Sequence, residues 1–498
     1  ADYIVGAAGA GSTHGKLLVG NAGALVVVIR LGGLVAIVFG SMIGGGIFNI
    51  SQNMAQGAGL GATLISWVIS GVGVLFLVLN FKILADARPD LNAGIYQYAK
   101  EGFGNYVGFN VAWGYWLCAA MGNVAFAVML NDSFGEFFPV LLKHGWQTVV
   151  FGSFFIWAMY FIVARGVKAA AAMNTVVTIV KFAALILIVV ILFIFFKVGA
   201  LSYDFWGHVS DLGSLGTQIK STMLVTLWCF IGVEGAVVMS ARARNSQDVG
   251  KAGVIGFLLA LVLYALISIL SYGIMKQPEL AKLDDPSVAY VLKAAVGEWA
   301  YTFVVLSVIV SVIGGWIAWT LLCAQVPYTA AQVKILPKSF LRENKQETPI
   351  HALLISSIIM QVFMILVAMA KSVYDAAIDI TGVMILPAYL FCGLYLVKAS
   401  FTKGELKTTD AKKIMQYRII GIISSVFCLW LLYAGSLLLL LITSIFYLAG
   451  FYFYVVARKQ NMEKGEKVFS RPECWLAIAI AVCSVIAVVL MAEGKAGL

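Results

Sequence analysis

The sequence of 498 residues is poor in charge, since Asp, Glu, Lys and Arg make up only 12% of it while hydrophobic residues make up 61%. Soluble domains carry about a quarter charged residues. A chain with so few charges cannot cover its surface with polar groups, so lipid must be part of its solvent. The composition therefore predicts an integral membrane protein and argues against several soluble domains, which the length alone would suggest.

Histidine and paired cysteines, the common ligands of structural metals, are also scarce. The sequence has 4 histidines and 7 cysteines, without CxxC or other metal-ligand spacing. Nearly all of the cysteines lie inside apolar runs, which favours buried thiols over a disulfide framework or a zinc site. We therefore expect no cofactor. The lack of a Ser/His pair, paired aspartates or an HExxH motif argues against an intramembrane enzyme.

Long apolar runs are what the sequence has in abundance. A helix needs about 20 apolar residues to cross a bilayer, and thirteen such runs predict an all-α bundle. Gly435 and Ser436 mark a turn that divides the last long run into two spans. The predicted spans are residues 25–50, 60–82, 106–131, 147–165, 174–197, 221–241, 252–275, 300–326, 350–370, 376–397, 419–436, 438–457 and 474–492.

The basic residues test this map of spans. When the N-terminus is placed in the cytoplasm, 25 of the 34 lysines and arginines fall in cytoplasmic loops or in the span ends beside them, and 8 fall outside. This bias follows the positive-inside rule. It accounts for the net charge of +10 better than nucleic-acid binding does. We expect a multi-pass protein of the cell membrane, embedded in the lipid bilayer, with its C-terminus outside.

The spans divide into two halves of similar length. Spans one to five occupy residues 25–197 and spans six to ten residues 198–397, with further helices in 398–498 and an unassigned Gly- and Ala-rich segment in 1–24. Because five is odd, the second half must run through the membrane in the opposite direction. Inverted repeats of this kind are typical of transporters, whose binding site lies at the repeat interface near mid-membrane.

The first span contains GSMIGGGIF, residues 40–48. Three consecutive glycines are costly for a helix, and broken backbone at membrane depth persists only where it lines a cavity or is buried in protein. Free N–H groups at such a break, with the positive end of the following half-helix, suit a carboxylate. Close helix packing through small residues is the structural alternative, but three glycines beside Ser41 exceed what packing needs.

The sixth span contains TLWCFIGVEG, residues 226–235, in which Gly232 and Gly235 flank Glu234. An unwound turn here would present carbonyl oxygens to an ammonium group. An acid inside a membrane span is energetically expensive and is therefore a functional candidate. The alternative is a structural carboxyl group whose hydrogen bonds hold the broken helix together, and the sequence favours neither interpretation.

These two segments resemble the amino acid–polyamine–organocation superfamily. The segments LNAGIYQYAKEGFGNYVGFNVAWGYW, GNVAFAVML, NTVVTIVKFAALI and EGAVVMSARARNSQDVGKA narrow the resemblance to the basic amino acid/polyamine antiporters, and among these to the arginine–ornithine antiporters. The similarity extends from about Arg30 to the C-terminus. It implies a 5+5 inverted-repeat (LeuT-like) helical bundle in which helices 1 and 6 are discontinuous and further helices follow.

The resemblance also implies which residues bind the substrate. The glycine run would hold the substrate carboxylate, helices three and six would line the pocket, and a tryptophan of helix eight would lie beside the substrate. The implied substrate-binding residues are Ser41, Met42, Ile43, Gly44, Gly45, Gly46, Tyr115, Asn123, Phe126, Trp228, Ile231 and Trp319, with Glu234 behind the site.

Trp228, Trp319 and Tyr115 can stabilise a cationic side chain. The pocket residues include few acids, so a buried cation needs another partner, and an aromatic ring supplies about 2 kcal/mol of cation–π energy when desolvated. Tryptophans in membrane proteins more often anchor at the interface, but Trp228 and Trp319 lie well inside their predicted spans. Phe126 stands where some relatives have a more flexible apolar residue, which leaves the exact substrate open.

Lys181 lies well inside the fifth span, too deep for its charge to reach the interface easily. The resemblance implies that its ammonium group replaces the sodium ion of related sodium-coupled folds, and release of its proton during the cycle is the alternative. Asp379, at the start of the tenth span, either pairs with the substrate cation or begins a helix at the interface. Lys181, Glu234 and Asp379 are therefore the predicted coupling or gating residues.

A charged cluster that includes Arg242 and Arg244 follows the sixth span. Its simplest interpretation is a solvated cytoplasmic loop that obeys the positive-inside rule. The alternative is a gating salt bridge with the loop around Asp86, Arg88 and Asp90.

Together these patterns predict a secondary transporter that exchanges small cationic amino acids or their amines by alternating access. The resemblance favours arginine against ornithine, and because both carry one positive charge this exchange would need no ion gradient. The alternatives are histidine–histamine or lysine–cadaverine exchange, proton-coupled uptake, and a membrane amino acid sensor without turnover. A homodimer is also compatible with the sequence.

Overall fold

The computed structural model describes residues 3–5, 27–143, 145–201, 203–369, 380–435, 437–463 and 465–493. Within these residues the regular structure is almost entirely helical, apart from a small antiparallel sheet of strands β1 (Tyr3–Val5) and β2 (Val27–Ile29). A helical arrangement suits lipid because each helix satisfies its own backbone hydrogen bonds.

The first half of the chain contains helices of very different lengths. In chain order they are α1 (Leu31–Met42), α2 (Ile50–Ala55), α3 (Leu60–Ala87), α4 (Ile95–Phe103), α5 (Asn105–Gly135), α6 (Trp146–Ala164), α7 (Val167–Ile194) and α8 (Val198–Leu201). Short 3-10 helices lie at Gly46–Phe48 and Pro139–Lys143.

The second half and the C-terminal region continue the pattern. In chain order they contain α9 (Leu215–Phe230), α10 (Gly235–Val238), α11 (Ser246–Ser271), α12 (Gln277–Leu280), α13 (Ser287–Val296), α14 (Glu298–Gln332), α15 (Ile350–Met369), α16 (Leu386–Phe401), α17 (Ala411–Ala434), α18 (Leu437–Ala449), α19 (Phe451–Asn461) and α20 (Arg471–Ala492). Further 3-10 helices lie at Ser240–Arg242 and Lys338–Leu341.

Ten helices in the described ranges are long and apolar enough to cross a membrane, and α18 with α19, bent by 41° at their junction, makes an eleventh span. The most apolar stretch of α5 is 94% buried inside the protein, whereas that of α20 is 11% buried. α5 therefore runs through the protein core, and α20 lies at the periphery with most of its surface available to lipid. The chain is a multi-pass helical membrane protein.

Most helices lie where the apolar runs predict them. α3 begins at residue 60 as predicted and continues past residue 82 to Ala87. Gly435 follows the end of α17, at the predicted turn. The predicted tenth span, 376–397, begins outside the described residues, and α16 ends at Phe401.

The start of the first span differs from the prediction. The apolar run suggests a helix from residue 25, but Val27–Ile29 forms β2 and α1 begins only at Leu31. β-Branched residues such as those of β2 favour strands. Ile29 also forms an isolated parallel bridge with Ala243, so the segment before α1 is paired with the chain that follows α10.

Two helices are interrupted within their predicted membrane spans. α1 ends at Met42, and the next regular turn begins at Gly46. α9 ends at Phe230, and α10 begins at Gly235. The helical hydrogen-bond ladder is therefore broken at the predicted glycine run and again around the predicted intramembrane acid.

The two interruptions lie against each other. Gly232 has a φ angle of +107°, a left-handed conformation that glycine adopts at little cost. A Cβ atom at Gly232 would lie 2.8 Å from Ser41 Oγ. Any side chain at Gly232 would therefore push the two interrupted helices apart.

Glu473, in the first turn of α20, is buried and connects this peripheral helix to α5. Its Oε1 accepts a hydrogen bond from Tyr106 N at 2.8 Å, and its Oε2 accepts one from Ser470 N at 2.8 Å. The first N–H groups of a helix have no partner within that helix. One carboxyl group thus caps the beginnings of two helices.

Candidate functional site

Carbonyl oxygens released where α1 stops are held by a buried lysine. Lys181 in α7 is 1% exposed, and its Nζ donates to Gly40 O at 2.9 Å and to Ile43 O at 2.6 Å. Polar groups buried in an apolar environment are expensive unless they are hydrogen-bonded. The terminal amino group of Lys181 therefore fixes the backbone of the interruption, as expected for a residue too deep to reach the interface.

Three further side chains hold neighbouring carbonyl groups. The pairs are Trp319 Nε1 to Ser41 O at 2.9 Å, Tyr264 Oη to Met42 O at 3.0 Å, and Ser311 Oγ to Gly44 O at 2.9 Å. Every carbonyl oxygen of residues 40–44 is therefore occupied. By contrast, the amides of Gly45 and Gly46 donate to no atom within the described residues. The α1 interruption is left with hydrogen-bond donors only.

The α9 interruption is organised around Glu234, which is completely buried. Tyr115 Oη donates to Glu234 Oε1 at 2.6 Å, and the hydroxyl group of Tyr389 donates to Oε2. The amide of Gly232 donates to Oε2 at 3.2 Å. The carboxyl group therefore links the broken helix to α5 and α16.

Several carbonyl oxygens at the end of α9 lack hydrogen-bond donors among the described residues, whereas those at the end of α1 are all bound. Within the described ranges, no donor reaches the carbonyl oxygens of Trp228, Cys229 or Ile231. The amide of Gly232, which would otherwise close the last turn, is directed to Glu234 instead. The α9 interruption is therefore left with hydrogen-bond acceptors.

A cavity lies where the interruptions meet. The interrupted helices, α5, Tyr264, Trp319 and Thr381 contribute to its lining. The lining residues are Ser41, Met42, Gly44, Gly45, Gly46, Cys118, Ala119, Gly122, Phe126, Met129, Trp228, Ile231, Tyr264, Trp319 and Thr381. This set, drawn from the described residues, includes no acidic or basic side chain, so a ligand meets uncharged side chains and backbone dipoles.

Nine of the twelve predicted binding residues line this cavity, and the other three lie behind it. The carbonyl group of Ile43 is bound to Lys181. Tyr115 binds Glu234, and its ring centre lies 6.3 Å from that of Trp319. Asn123 Nδ2 lies 3.4 Å from Cys323 Sγ, and within the described residues its Oδ1 has no hydrogen-bond partner.

Six lining residues were not predicted. Cys118, Gly122 and Phe126 are spaced by four residues and lie on one face of α5, so helical spacing from the predicted Phe126 could have found them. Tyr264 carries no such signal, because its role depends on the packing of α11 against α1. The complete set of unpredicted lining residues is Cys118, Ala119, Gly122, Met129, Tyr264 and Thr381.

Within the described residues, the gating salt bridge between the Arg242 cluster and the loop around Arg88, which was the alternative to a solvated loop, does not form. Arg88 NH2 instead pairs with Asp90 Oδ2 at 2.7 Å, and its hydrogen bonds hold the pKa of Asp90 below the usual value. Arg242 Nε donates to Gln325 Oε1 at 3.2 Å, and its NH2 lies 3.8 Å from Glu343 Oε1. Arg242 is therefore joined to α14 and the loop that follows it.

Asp379, the third predicted coupling residue, lies outside the described residues. Over the ranges that the structure describes, no group of three or more His, Cys, Asp or Glu side chains could hold a metal ion.

Known proteins are similar to this chain over most of its length, and not only around the cavity. A family described as amino acid permease matches residues 30–439. A relative from Clostridium perfringens strain 13, whose name refers to amino-acid transport, is 41% identical over 468 residues, covering 92% of this chain and 97% of the relative. Proteins named arginine/agmatine antiporter from Chlamydia felis and Chlamydia trachomatis serovar L2 are 41% identical over 474 residues and 42% identical over 467 residues. Each of these two alignments covers 93% of this chain and 96% of the relative.

Proposed function

The chain belongs to the amino acid permease family, and from this premise we propose that it exchanges a cationic amino acid for a related amino acid or amine. It is a membrane transporter rather than an enzyme. Relatives named as arginine/agmatine antiporters match nearly its whole length, which supports a cationic substrate. Arginine is the first substrate that we propose.

The opposite polarity of the two interruptions is the observation that carries this proposal. The free amides of Gly45 and Gly46 suit a carboxylate, as the N–H groups of broken helices commonly do. The free carbonyl oxygens of Trp228, Cys229 and Ile231 suit an α-ammonium group. The cavity can therefore hold the zwitterionic end of an amino acid without any charged side chain.

The rest of the cavity suits a flat, weakly hydrated cation. Trp228, Trp319 and Phe126 present aromatic rings to it, and each ring can contribute about 2 kcal/mol to a desolvated cation. A guanidinium group stacks on such rings, whereas a compact ammonium group is more strongly hydrated and gains more from direct oxygen ligands. These properties favour arginine over lysine.

Ornithine, which the sequence resemblance favours, and agmatine, which the names of the relatives suggest, are the two counter-substrates that we propose to compare. Exchange of arginine for ornithine moves no net charge. Agmatine lacks the carboxylate and carries one more positive charge than arginine, so its exchange for arginine moves charge across the membrane. The two pairs therefore differ in their response to membrane potential.

We also propose the 5+5 inverted-repeat architecture, with residues 25–197 and 198–397 as the repeats. α1 with α2 and α9 with α10 would then be their discontinuous first helices. Adding these two broken spans to the eleven continuous or bent ones supports thirteen spans, with the N-terminus in the cytoplasm and the C-terminus outside. Reporter fusions at the two termini test this orientation, and cross-linking in the membrane tests the proposed homodimer.

Counterflow in proteoliposomes tests the transport proposal. Purified protein is reconstituted with internal arginine, ornithine, agmatine, lysine or histidine, and entry of external labelled arginine is measured at zero and at imposed membrane potential. We expect rapid entry only with an exchangeable internal substrate. An effect of potential with internal agmatine but not with internal ornithine would distinguish the two pairs.

Two results would contradict the proposal. Arginine entry into liposomes that contain no amino acid would show uptake rather than obligatory exchange, and a dependence on an imposed pH gradient would indicate proton coupling. Saturable arginine binding without any flux would instead identify a sensor. Protein-free liposomes and liposomes with the Trp319→Leu variant serve as controls.

A further inference from the structure

A glycine occupies the centre of the α5 surface that faces the cavity. Gly122 lies one turn after Cys118 and one turn before Phe126, and all three line the cavity. Residues at this spacing share one face of a helix. A Cβ atom built at Gly122 would meet no atom within 4 Å. The position therefore opens directly into unfilled space.

Helix packing does not account for this glycine. Gly114, on the same helix, lies against Tyr447, and a Cβ atom there would lie 2.5 Å from Tyr447 Oη. Gly44 likewise lies against Phe126, and a Cβ atom there would lie 2.6 Å from its Cε1. Gly122 has no such neighbour, although glycine in a helix interior is less stable than alanine. The structure gives Gly122 room on the ligand side only.

The free backbone groups and Gly122 belong to different elements that line the same cavity. The free amides and carbonyl oxygens lie on the interrupted helices, whereas Gly122 lies on α5. Phe126, one turn after Gly122, lies against Gly44. A substrate whose zwitterionic end is bound at the interruptions therefore extends its side chain along the α5 surface that carries Gly122.

We propose that Gly122 determines specificity by leaving a notch that accepts the distal part of a long, unbranched substrate side chain. This inference rests on the proposed function, because it requires an amino acid or amine in the cavity. The notch selects for length: a side chain at residue 122 fills the space that a long substrate needs and leaves room for a short one. Gly122 selects the length of the substrate side chain because it has no side chain of its own, whereas the aromatic rings bind the positive charge of the substrate.

Ligand binding to purified full-length protein tests the notch. Dissociation constants are obtained from ligand-induced changes in melting temperature for alanine, ornithine, lysine, arginine and agmatine. The variants are Gly122→Ala and Gly122→Val. The control is Gly216→Val on α9, where a Cβ atom would have its nearest neighbour at 3.9 Å, Ser214 Oγ, and no contact with the cavity.

We expect Gly122→Val to raise the dissociation constant of arginine at least about tenfold, while that of alanine changes less than about threefold, because pockets commonly discriminate one or a few methylene groups by such factors. Gly122→Ala should give a smaller effect of the same kind. Gly216→Val should bind every ligand as the original protein does, and all variants should melt normally without ligand.

The outcomes separate this inference from the proposed function. If the original protein exchanges arginine but Gly122→Val weakens alanine and arginine equally, or weakens neither, the notch is wrong and the transport proposal stands. If the original protein binds long ligands without exchanging them, a length-dependent loss in Gly122→Val still supports the notch while the exchange proposal fails. If no ligand of the series binds, both are overturned.

Discussion

The two interrupted helices expose opposite ends of the peptide group. At the α1 interruption, side chains from α7, α11 and α14 occupy all carbonyl oxygens of residues 40–44, which leaves amides free. At the α9 interruption, Glu234 occupies the amide of Gly232, which leaves carbonyl oxygens free. Side chains that bind the carbonyl oxygens leave amides free at the α1 interruption. A side chain that binds an amide leaves carbonyl oxygens free at the α9 interruption.

Each interruption also has its own ionisable residue, and neither of these lines the cavity. Lys181 supports the α1 interruption and Glu234 the α9 interruption, both from behind. A ligand therefore meets peptide dipoles and rings rather than a fixed ion. Buried ion pairs require costly desolvation and are strongly disrupted when one partner leaves. A site without them can bind a zwitterion and still release it when the helices move.

The largest effect should come from Trp319, which presents a ring to the cavity and also holds a carbonyl group of the α1 interruption. Trp319→Leu removes a ring worth about 2 kcal/mol to a desolvated cation and the donor to Ser41 O, and an unpaired buried carbonyl costs about 1–3 kcal/mol. We expect arginine exchange in proteoliposomes to fall at least about a hundredfold. Trp319→Phe, which keeps a ring, should lose less, and undiminished flux in Trp319→Leu would contradict the site.

A smaller loss is expected when the α1 interruption alone is weakened. Lys181→Met keeps the length of the side chain but releases the carbonyl groups of Gly40 and Ile43, each at a cost of about 1–3 kcal/mol. Exchange should fall by about tenfold to a hundredfold, with a lower melting temperature. Lys197→Met, at an exposed position after α7, is the control. A normal rate with an unchanged pH profile in Lys181→Met would remove this lysine from the mechanism.

Glu234→Gln weakens the α9 interruption with little change of shape. An amide has one oxygen where the carboxyl group has two acceptor atoms, so either Tyr115 loses its acceptor or Tyr389 and Gly232 N together lose theirs. We expect about a tenfold lower exchange rate, since one unsatisfied buried group costs about 1–3 kcal/mol. Tyr389→Phe should produce a similar loss. If Tyr389→Phe impairs exchange and Glu234→Gln does not, the acid is not what organises this interruption.

The smallest effect should come from the contact between the interruptions. Ser41 Oγ lies 2.9 Å from Gly232 O, and also 2.7 Å from Ile37 O within its own helix. A single hydrogen bond contributes about 0.5–1.5 kcal/mol, so Ser41→Ala should weaken arginine binding by roughly two- to tenfold. Isothermal titration calorimetry measures this change. A loss as large as that of Trp319→Leu would mean that the hydroxyl group contacts the substrate itself.

Local sequence patterns located the interruptions and indicated which backbone groups each would expose, but they did not identify the side chains that hold the other backbone groups. Three consecutive glycines, and an acid between Gly232 and Gly235, are visible in the sequence because each conflicts with a continuous apolar helix. Tyr264 and Tyr389, which help to hold the two interruptions, lie far away in sequence and have no distinctive neighbours. Their partners depend on how distant helices pack, which single-chain periodicity does not contain.

The residues of α5 that line the cavity were also only partly predictable from the sequence. The spacing of Tyr115, Asn123 and Phe126 predicted one face, yet Tyr115 reaches Glu234, Asn123 lies near Cys323, and only Phe126 lines the cavity. Gly122 drew no attention because an isolated glycine in a membrane helix has many explanations. Only the empty volume beside it separates these explanations, and volume is a property of the assembled helices.

Glu473 connects the C-terminal helix α20 to α5, which lines the cavity. Glu473 lies beyond residues 30–439, which match the amino acid permease family. Its carboxyl group nevertheless binds the first turn of α5 at Tyr106 N, on the helix that carries Gly122 and Phe126. A chain shortened before α20 would lose the carboxyl group that caps the first turn of α5. This end of α5 would then lack one of its contacts with the rest of the protein. The last helix, although most of its surface is available to lipid, thereby anchors a helix that lines the cavity.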